Sequence, residues 1–416
     1  MLLASLSGLQ PARTGESIYN VLQYDCNSIV KIGPLKIGVM LRSLTDVGGP
    51  GEYTRSLLNA LLRIDRVNEY YLFIANEALG ARFREFPNAH PIVLNSPSKL
   101  IFDQVQVPRA LRQYGCDVVI NLKHSVPLLA NVPAIFVMHG ADWLAFPQNY
   151  YFFDRMYHAV SLPLFCRKAA RIISVSHDAT RIAIEKAHLP PSQVATVYHG
   201  FRTDFRRVED PERRARARER YKLPEKFILY VGRIYPMKNV RGLVEAFAKL
   251  RDRVPHSLVI SGIKHYKTEP DFAAIDKYSL HDRVIPTGFV EEEDLPVLYS
   301  MADAFVLPSL YEGFGIPLLE AMACGAPIVT STQGSCPEVV DGAGVLVNPY
   351  DTADIAEGIY KVLTDRKLAE ENVRKGYQRV AQFSWEKCAR ETLDVIASVA
   401  RTNQATDASL PRRDPS

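Results

Sequence analysis

Short apolar runs, many of them β-branched, alternate with helical segments along most of this chain, and the whole alternation occurs twice. The first series falls at residues 36–41, 70–75, 117–121, 134–138, 171–175 and 194–198. The second falls at residues 227–231, 257–261, 283–287, 304–307, 327–330 and 344–347. Helical spacing marks residues 53–62, 243–250 and 353–364 between some of them. An apolar run without a polar alternate suits a strand covered on both faces. Strands separated by helices join a parallel sheet. The expected fold class is therefore α/β, with two Rossmann-like domains facing across a cleft. The length of 416 residues agrees, because one core rarely serves so long a chain. Ligands of such sheets sit beyond the carboxyl ends of the strands, which is where chemistry-bearing residues are sought.

The most informative segment runs Ser309-Leu310-Tyr311-Glu312-Gly313-Phe314-Gly315-Ile316-Pro317-Leu318-Leu319-Glu320-Ala321-Met322-Ala323-Cys324-Gly325. Pro317 suits the first turn of a helix and Gly325 the residue after its end. Glu312 then lies on a loop before the positive end of the helix, and Glu320 about one turn inside. Free backbone amides and the helix dipole at that end favour a phosphate. Two carboxylates that accept hydroxyl hydrogen bonds could flank it, as a sugar nucleotide requires. The competing reading is a buried helix whose glutamates merely face solvent.

Other strand ends carry weaker signals. Gly232-Arg233 and Lys238-Asn239 place two cations within one loop, where they could neutralise a diphosphate leaving group. Gly288-Phe289-Val290 could let a flat base approach the backbone, or could be a plain turn with Phe289 in the core. Gly48-Gly49-Pro50-Gly51 follows a strand and precedes a helix, but Thr54 stands where a dinucleotide fingerprint needs its third glycine. His139, after the run 134–138, could reach a sugar hydroxyl or be structural. His199-Gly200 reads as a turn near the domain hinge. The seven arginines between Arg206 and Arg220 are interspersed with acids and read as a solvated helix.

A formal charge of +4 is too small to argue for nucleic acid. Six cysteines without C-x-x-C pairs or metal spacing fit reduced thiols in a cytosolic protein. No apolar run reaches the length of a membrane span, and no basic residue precedes the weakly apolar start, so no signal peptide is expected. Residues 1–34 are expected to be an irregular extension and residues 402–416 a disordered tail.

Together the E-x7-E segment, the Gly-Arg…Lys-Asn pair, the Gly-Phe-Val turn, the Gly-Gly-x-Gly loop and Phe383-Ser384-Trp385-Glu386 resemble the retaining, GT-B-fold glycosyltransferases of family 4, from about Leu35 to Val399. The resemblance implies a first, acceptor domain over 35–203 and a nucleotide-sugar donor domain over 204–384. It also implies a helix over 385–401 that returns to the first domain. It implies that Arg233 and Lys238 hold the donor diphosphate, that Glu320 holds the ribose and that Glu312 faces the transferred sugar. Gly313, Phe314, Gly315 and Ile316 would contribute the amides around the donor. Phe289 and Val290 would meet the base, Gly49 and Gly51 would permit close approach, and His139 would lie near the reacting sugar. Relatives often have His followed by Asp; here Gly140 follows, and the acid comes at Asp142, whose role stays open. The family needs no catalytic metal or other cofactor, and Lys238→Ala is expected to abolish most turnover with the fold intact. Hinges are expected near 199–204 and 383–385.

The form of the segment most resembles mannosyl- and related hexosyltransferases of surface-polysaccharide pathways, which points to GDP-mannose as donor. The acceptor would be a glycan or a lipid-linked sugar. A lipid-linked acceptor would hold a cytoplasmic protein peripherally at the inner face of a membrane, through Lys99, Arg109, Arg112, Arg167 and Lys168, which read equally well as ordinary surface charge. The alternatives are an epimerase or a phosphorylase of the same fold, a sugar-nucleotide-binding protein without turnover, and a nicotinamide oxidoreductase with Glu77 at the ribose.

Overall fold

The computed structural model describes residues 33–45, 48–266 and 268–409, and residues 34–416 form one compact unit. The expected N-terminal extension, apart from its last residues, lies outside the described residues, as does the end of the tail from residue 410.

The first sheet contains β1 (Lys36–Met40), β2 (Glu69–Ile74), β3 (Ala89–Val93), β4 (Val118–Asn121), β5 (Ala134–Met138), β6 (Ala169–Ser174) and β7 (Val194–Thr196) in the order β3-β2-β1-β4-β5-β6-β7. The second contains β8 (Phe227–Val231), β9 (Ser257–Ser261), β10 (Val284–Gly288), β11 (Ala304–Leu307), β12 (Ile328–Ser331) and β13 (Val345–Val347) in the order β10-β9-β8-β11-β12-β13. Every strand pair is parallel. In each sheet the order reverses beside the first strand, β1 or β8, which opens a crevice at that switch point. Central strands β5, β8, β9 and β11 are buried at every residue, in keeping with their apolar sequences, which only Ser257 and Ser261 at the ends of β9 interrupt.

Strand β3 has no counterpart among the expected strands. It is an edge strand with His90 and Pro91 in a half-exposed sequence, so it lacks the apolar run that marks the others. The final helix also departs from expectation. It spans Trp385–Ser409, so residues 402–409 are helical rather than a disordered tail. No Gly or Pro interrupts them before Pro411, and helix propagation costs little there. This helix packs against the helix Gly49–Ile64 of the first domain, where the rings of Tyr53 and Trp385 lie 5.7 Å apart. Gly200 and Trp385 mark the two crossings between the domains. They touch so closely that a Cβ on Gly200 would fall 2.2 Å from the Trp385 amide nitrogen. Cys116, Cys166, Cys324, Cys336 and Cys388 are buried free thiols; Cys26 lies outside the described residues.

Candidate active site

Local structure in the second domain brings the two cations and two acids of the sequence into one place. After β8 the chain makes a single helical turn, Pro236–Lys238, and stops at Asn239, whose left-handed backbone (φ 55°) frees the side chain to bridge two loops. Asn239 Nδ2 donates to the carbonyl oxygens of Pro308 at 3.0 Å and Pro349 at 2.7 Å. The Leu310 amide donates to the Met237 carbonyl at 2.8 Å. These bonds hold Lys238 beside the loop after β11, and Lys238 Nζ donates to Glu312 Oε1 at 2.5 Å. Ser309 Oγ donates to the same carboxylate oxygen at 2.7 Å. Burial by itself would lower the Lys238 pKa; the Glu312 carboxylate, with Tyr235 and Tyr230, acts against it, and the net shift is upward, so Lys238 keeps its charge.

The helix Ile316–Cys324 begins where Gly315 takes φ 93° and ends at Gly325 with φ 74°. Pro317 lies in the first turn, where its missing N–H costs nothing. Ser335 Oγ lies within hydrogen-bonding distance of the carbonyls of Phe314 (2.8 Å) and Glu312 (3.1 Å), and so fixes the turn before the helix. Glu320, partly buried on the fifth helical residue, accepts from the Tyr299 hydroxyl at 2.8 Å. Burial pushes its pKa up to about 7, against the lowering effect of that bond.

The first domain supplies the opposite wall. Gly48 and Gly49 begin the helix Gly49–Ile64, and a Cβ on Gly48 would lie 3.1 Å from Arg233 Nε. His139 follows β5 and donates from Nε2 to the Leu122 carbonyl at 2.7 Å, with its ring 4.7 Å from that of Tyr53. The Tyr311 hydroxyl accepts from the Ala141 amide at 3.0 Å, a direct bond between the domains. Gly313 lies against the His139 carbonyl, 2.0 Å from where a Cβ would be.

The walls enclose a cavity of about 550 Å³. Arg233, Lys238, Glu312, Glu320, His139, Gly313, Phe314, Gly315, Ile316 and Gly49 all line it. Three residues expected at the site are not in its wall. Gly51 is buried inside the first turn of its helix, Val290 is buried, and Phe289 is 54% exposed, so Phe289 is not a core residue either. Glu77, the ribose acid of the oxidoreductase reading, pairs with Arg84 on the surface.

Sequence reasoning missed other lining residues. His199 is no mere turn residue: it is buried in the wall between Phe314 (4.6 Å) and Tyr53 (4.7 Å), and neither ring nitrogen has a partner. Burial, then the nearby His139, holds its pKa well below the usual value, so the ring is neutral. Arg202, which pairs with Asp204 and Glu292, also lines the cavity, as do Trp143 and Tyr150 on the first-domain side. Nothing in their spacing marks them; only the strand ends before them could have. Among the described residues no group of three or more His, Cys, Asp and Glu is placed to hold a metal ion.

This constellation offers two cations for a diphosphate, two acids for hydroxyls, and a glycine-lined approach between two Rossmann-like walls. Profile comparison matches residues 212–379 to Glycosyl transferases group 1 and residues 47–205 to Glycosyltransferase Family 4. The chain is 32% identical to the O-antigen chain mannosyltransferase B of Escherichia coli over 265 residues, 63% of this chain and 69% of that protein. It is 32% identical to the serotype-specific mannosyltransferase WbdA of Escherichia coli over 58% of this chain, but spans only 30% of that longer protein. The fold matches that of Anabaena Alr3699/HepE, solved with UDP and glucose, with a TM-score of 0.68 and 19% identity over 88% of this chain and 100% of that one. On these matches the chain belongs to the group 1, family 4 glycosyltransferases, with the two-domain GT-B fold.

Proposed function

We propose that the protein transfers mannose from GDP-mannose to a hydroxyl of a glycan or lipid-linked acceptor, with retention of configuration and without a catalytic metal. The observation that carries this reading is the convergence of Arg233, the Lys238–Glu312 pair and Glu320 in one interdomain cavity. Two relatives are mannosyltransferases, which supports mannose as the sugar. Mannose is activated as a guanosine diphosphate, so the donor follows from the sugar.

The diphosphate would lie at Arg233 and Lys238, with the ribose hydroxyls donating to Glu320. As the bond from the anomeric carbon to the diphosphate oxygen breaks, negative charge grows on that oxygen. Fixed cations there stabilise the transition state more than the ground state. The acceptor hydroxyl attacks from the same face, and its proton passes to the departing phosphate oxygen. No protein base is needed for that transfer. Because sugar nucleotides are cytoplasmic, the reaction is assigned to the cytoplasmic side.

The test is a thermal-shift series with GDP-mannose, GDP, UDP-glucose, UDP-N-acetylglucosamine, UDP and NAD, without added metal. A ligand that binds only the folded state raises Tm by mass action. Stabilisation by GDP-mannose and GDP that is lost in Glu320→Ala is expected. A shift with NAD alone, or with none of them, would overturn the assignment.

A further inference from the structure

The helix Phe152–Lys168 carries large apolar residues along its whole length, interspersed with Asp154, Arg155, His158, Arg167 and Lys168, yet only Leu162, Phe165 and Cys166 are buried. Here Phe152, Phe153, Met156, Tyr157, Val160 and Leu164 are all exposed, Phe153 at 83%. The patch extends beyond this helix. Lys99 Nζ lies 5.5 Å from the Tyr157 ring centroid, and the exposed Leu100 and Ile101 follow it. An exposed apolar surface of this extent marks an interaction site.

Behind the helix lies a second cavity of about 980 Å³, walled on its far side by residues 186–190. Its apolar lining includes Leu162, Pro163 and Leu189. Arg155, Arg167 and Lys186 supply charge, and no carboxylate lines it. It shares Trp143, Tyr150 and His158 with the cavity that holds Arg233 and Lys238, so the two cavities have a common wall.

We propose that this face docks the protein on a bilayer containing anionic lipids, with Phe153, Met156 and Val160 entering the interface. Arg155, Arg167 and Lys186 would meet lipid phosphates at the groove. Charge chooses this occupant. A second copy would bring two patches of the same positive sign together across a two-fold axis, whereas an anionic surface complements them. Interfacial anchoring by an exposed apolar helix face with basic flanks is a general mode of peripheral binding. The shared wall would then place the cleft beside a membrane-held acceptor. That consequence rests on the proposed transferase reading; the docking itself does not.

The test is vesicle flotation of the full-length protein with phosphatidylcholine alone and with added phosphatidylglycerol. Binding is expected only to the anionic vesicles, and is expected to weaken with salt. Phe153→Asp with Val160→Asp, both at exposed positions, should lower the bound fraction about tenfold, and Arg155→Glu with Arg167→Glu similarly. Sedimentation is expected to give the same mass for wild type and the Phe153/Val160 variant. The GDP-mannose thermal shift should survive in that variant, which separates docking from donor binding. No flotation of the wild type, flotation unchanged by both variant pairs, or a dimer that the Phe153/Val160 variant dissolves would each overturn the docking. Vesicle binding without any sugar-nucleotide shift would overturn the transferase reading alone.

Discussion

Lys238 and Glu312 form an ion pair of 2.5 Å whose side chains are only 15% and 7% exposed, and Ser309 donates to the same carboxylate oxygen. The pair joins the turn after β8 to the loop after β11. Each partner compensates the charge of the other while the site holds no donor. On the proposed reading, a diphosphate arriving at Lys238 would compete with Glu312 and free the carboxylate to face the sugar.

The same pairing revises the expectation that Lys238→Ala leaves the fold intact. Removing one member of a buried pair leaves an uncompensated charge, at a cost of about 3–5 kcal/mol. Lys238→Ala should lose turnover by orders of magnitude and also melt at lower temperature. Lys238→Met combined with Glu312→Gln removes both charges and should recover most of the Tm without recovering turnover. Calorimetry and a transfer assay on the two variants separate the structural from the catalytic share. Equal Tm values for wild type and Lys238→Ala would contradict the pairing.

Glu320 gives a pH dependence whose sign follows from its raised pKa of about 7. In the unfolded chain the carboxyl titrates near 4.5. Below that value both states are protonated, and above about 7 both are ionised. In between, the folded state alone keeps the proton, so this group's contribution to stability falls as pH rises. Glu320→Gln cannot ionise, and its Tm should gain on the wild type from pH 5 to pH 8. Donor binding should run the other way. Ribose hydroxyls donate to the ionised form, so GDP should bind wild type more tightly at pH 8 than at pH 6, with a flatter profile in Glu320→Gln. Titration calorimetry at both pH values checks this; parallel profiles would contradict it.

Gly313 makes the sharpest demand on side-chain size. A methyl group there would fall 2.0 Å from the His139 carbonyl oxygen. Gly313→Ala should therefore prevent the domains from meeting at this point while leaving the Lys238–Glu312 pair in place. Turnover should fall at least tenfold through loss of correct positioning, with the GDP-dependent thermal shift largely kept. A fully active Gly313→Ala enzyme would show that this contact opens during the reaction.

How much of this was legible in the sequence depended on burial. The runs at 134–138, 227–231, 257–261 and 304–307 coincide with β5, β8, β9 and β11, because strands covered on both faces are apolar through their middles, with no charged residue in them. Edge strand β3, half exposed and with a proline, gave no such signal. The helix Ile316–Cys324 was legible from Pro317 and Gly325, which report backbone geometry directly. His199 and Trp143 were not legible as wall residues. Their place depends on how two separately folded sheets meet, and no local spacing encodes that. The exposed helix Phe152–Lys168 went unmarked for a related reason: which of its apolar residues stay uncovered is decided by packing, not by spacing.

Glu338 is a further tie between the domains, and it binds through its carboxylate. Its two oxygens accept from the backbone amides of His177 and Asp178, each at 3.0 Å, and from the Tyr198 hydroxyl at 2.9 Å. Those amides lie in the first turn of the helix His177–Ala187 in the first domain, where an anion is favoured by the dipole. Glu338 itself belongs to the short helix Cys336–Val340 of the second domain, and Arg379 steadies it by donating to the Glu338 and Val339 carbonyls. Glu338→Ala removes three interdomain bonds without touching the cavity wall. The domains should then spend more time apart, which raises the radius of gyration in solution scattering and raises KM more than it lowers kcat. Glu338→Gln keeps one accepting oxygen and should fall between. A radius of gyration unchanged in Glu338→Ala would mean that the other interdomain contacts, those of Gly313, Tyr311 and Asn149 among them, hold the cleft closed without it.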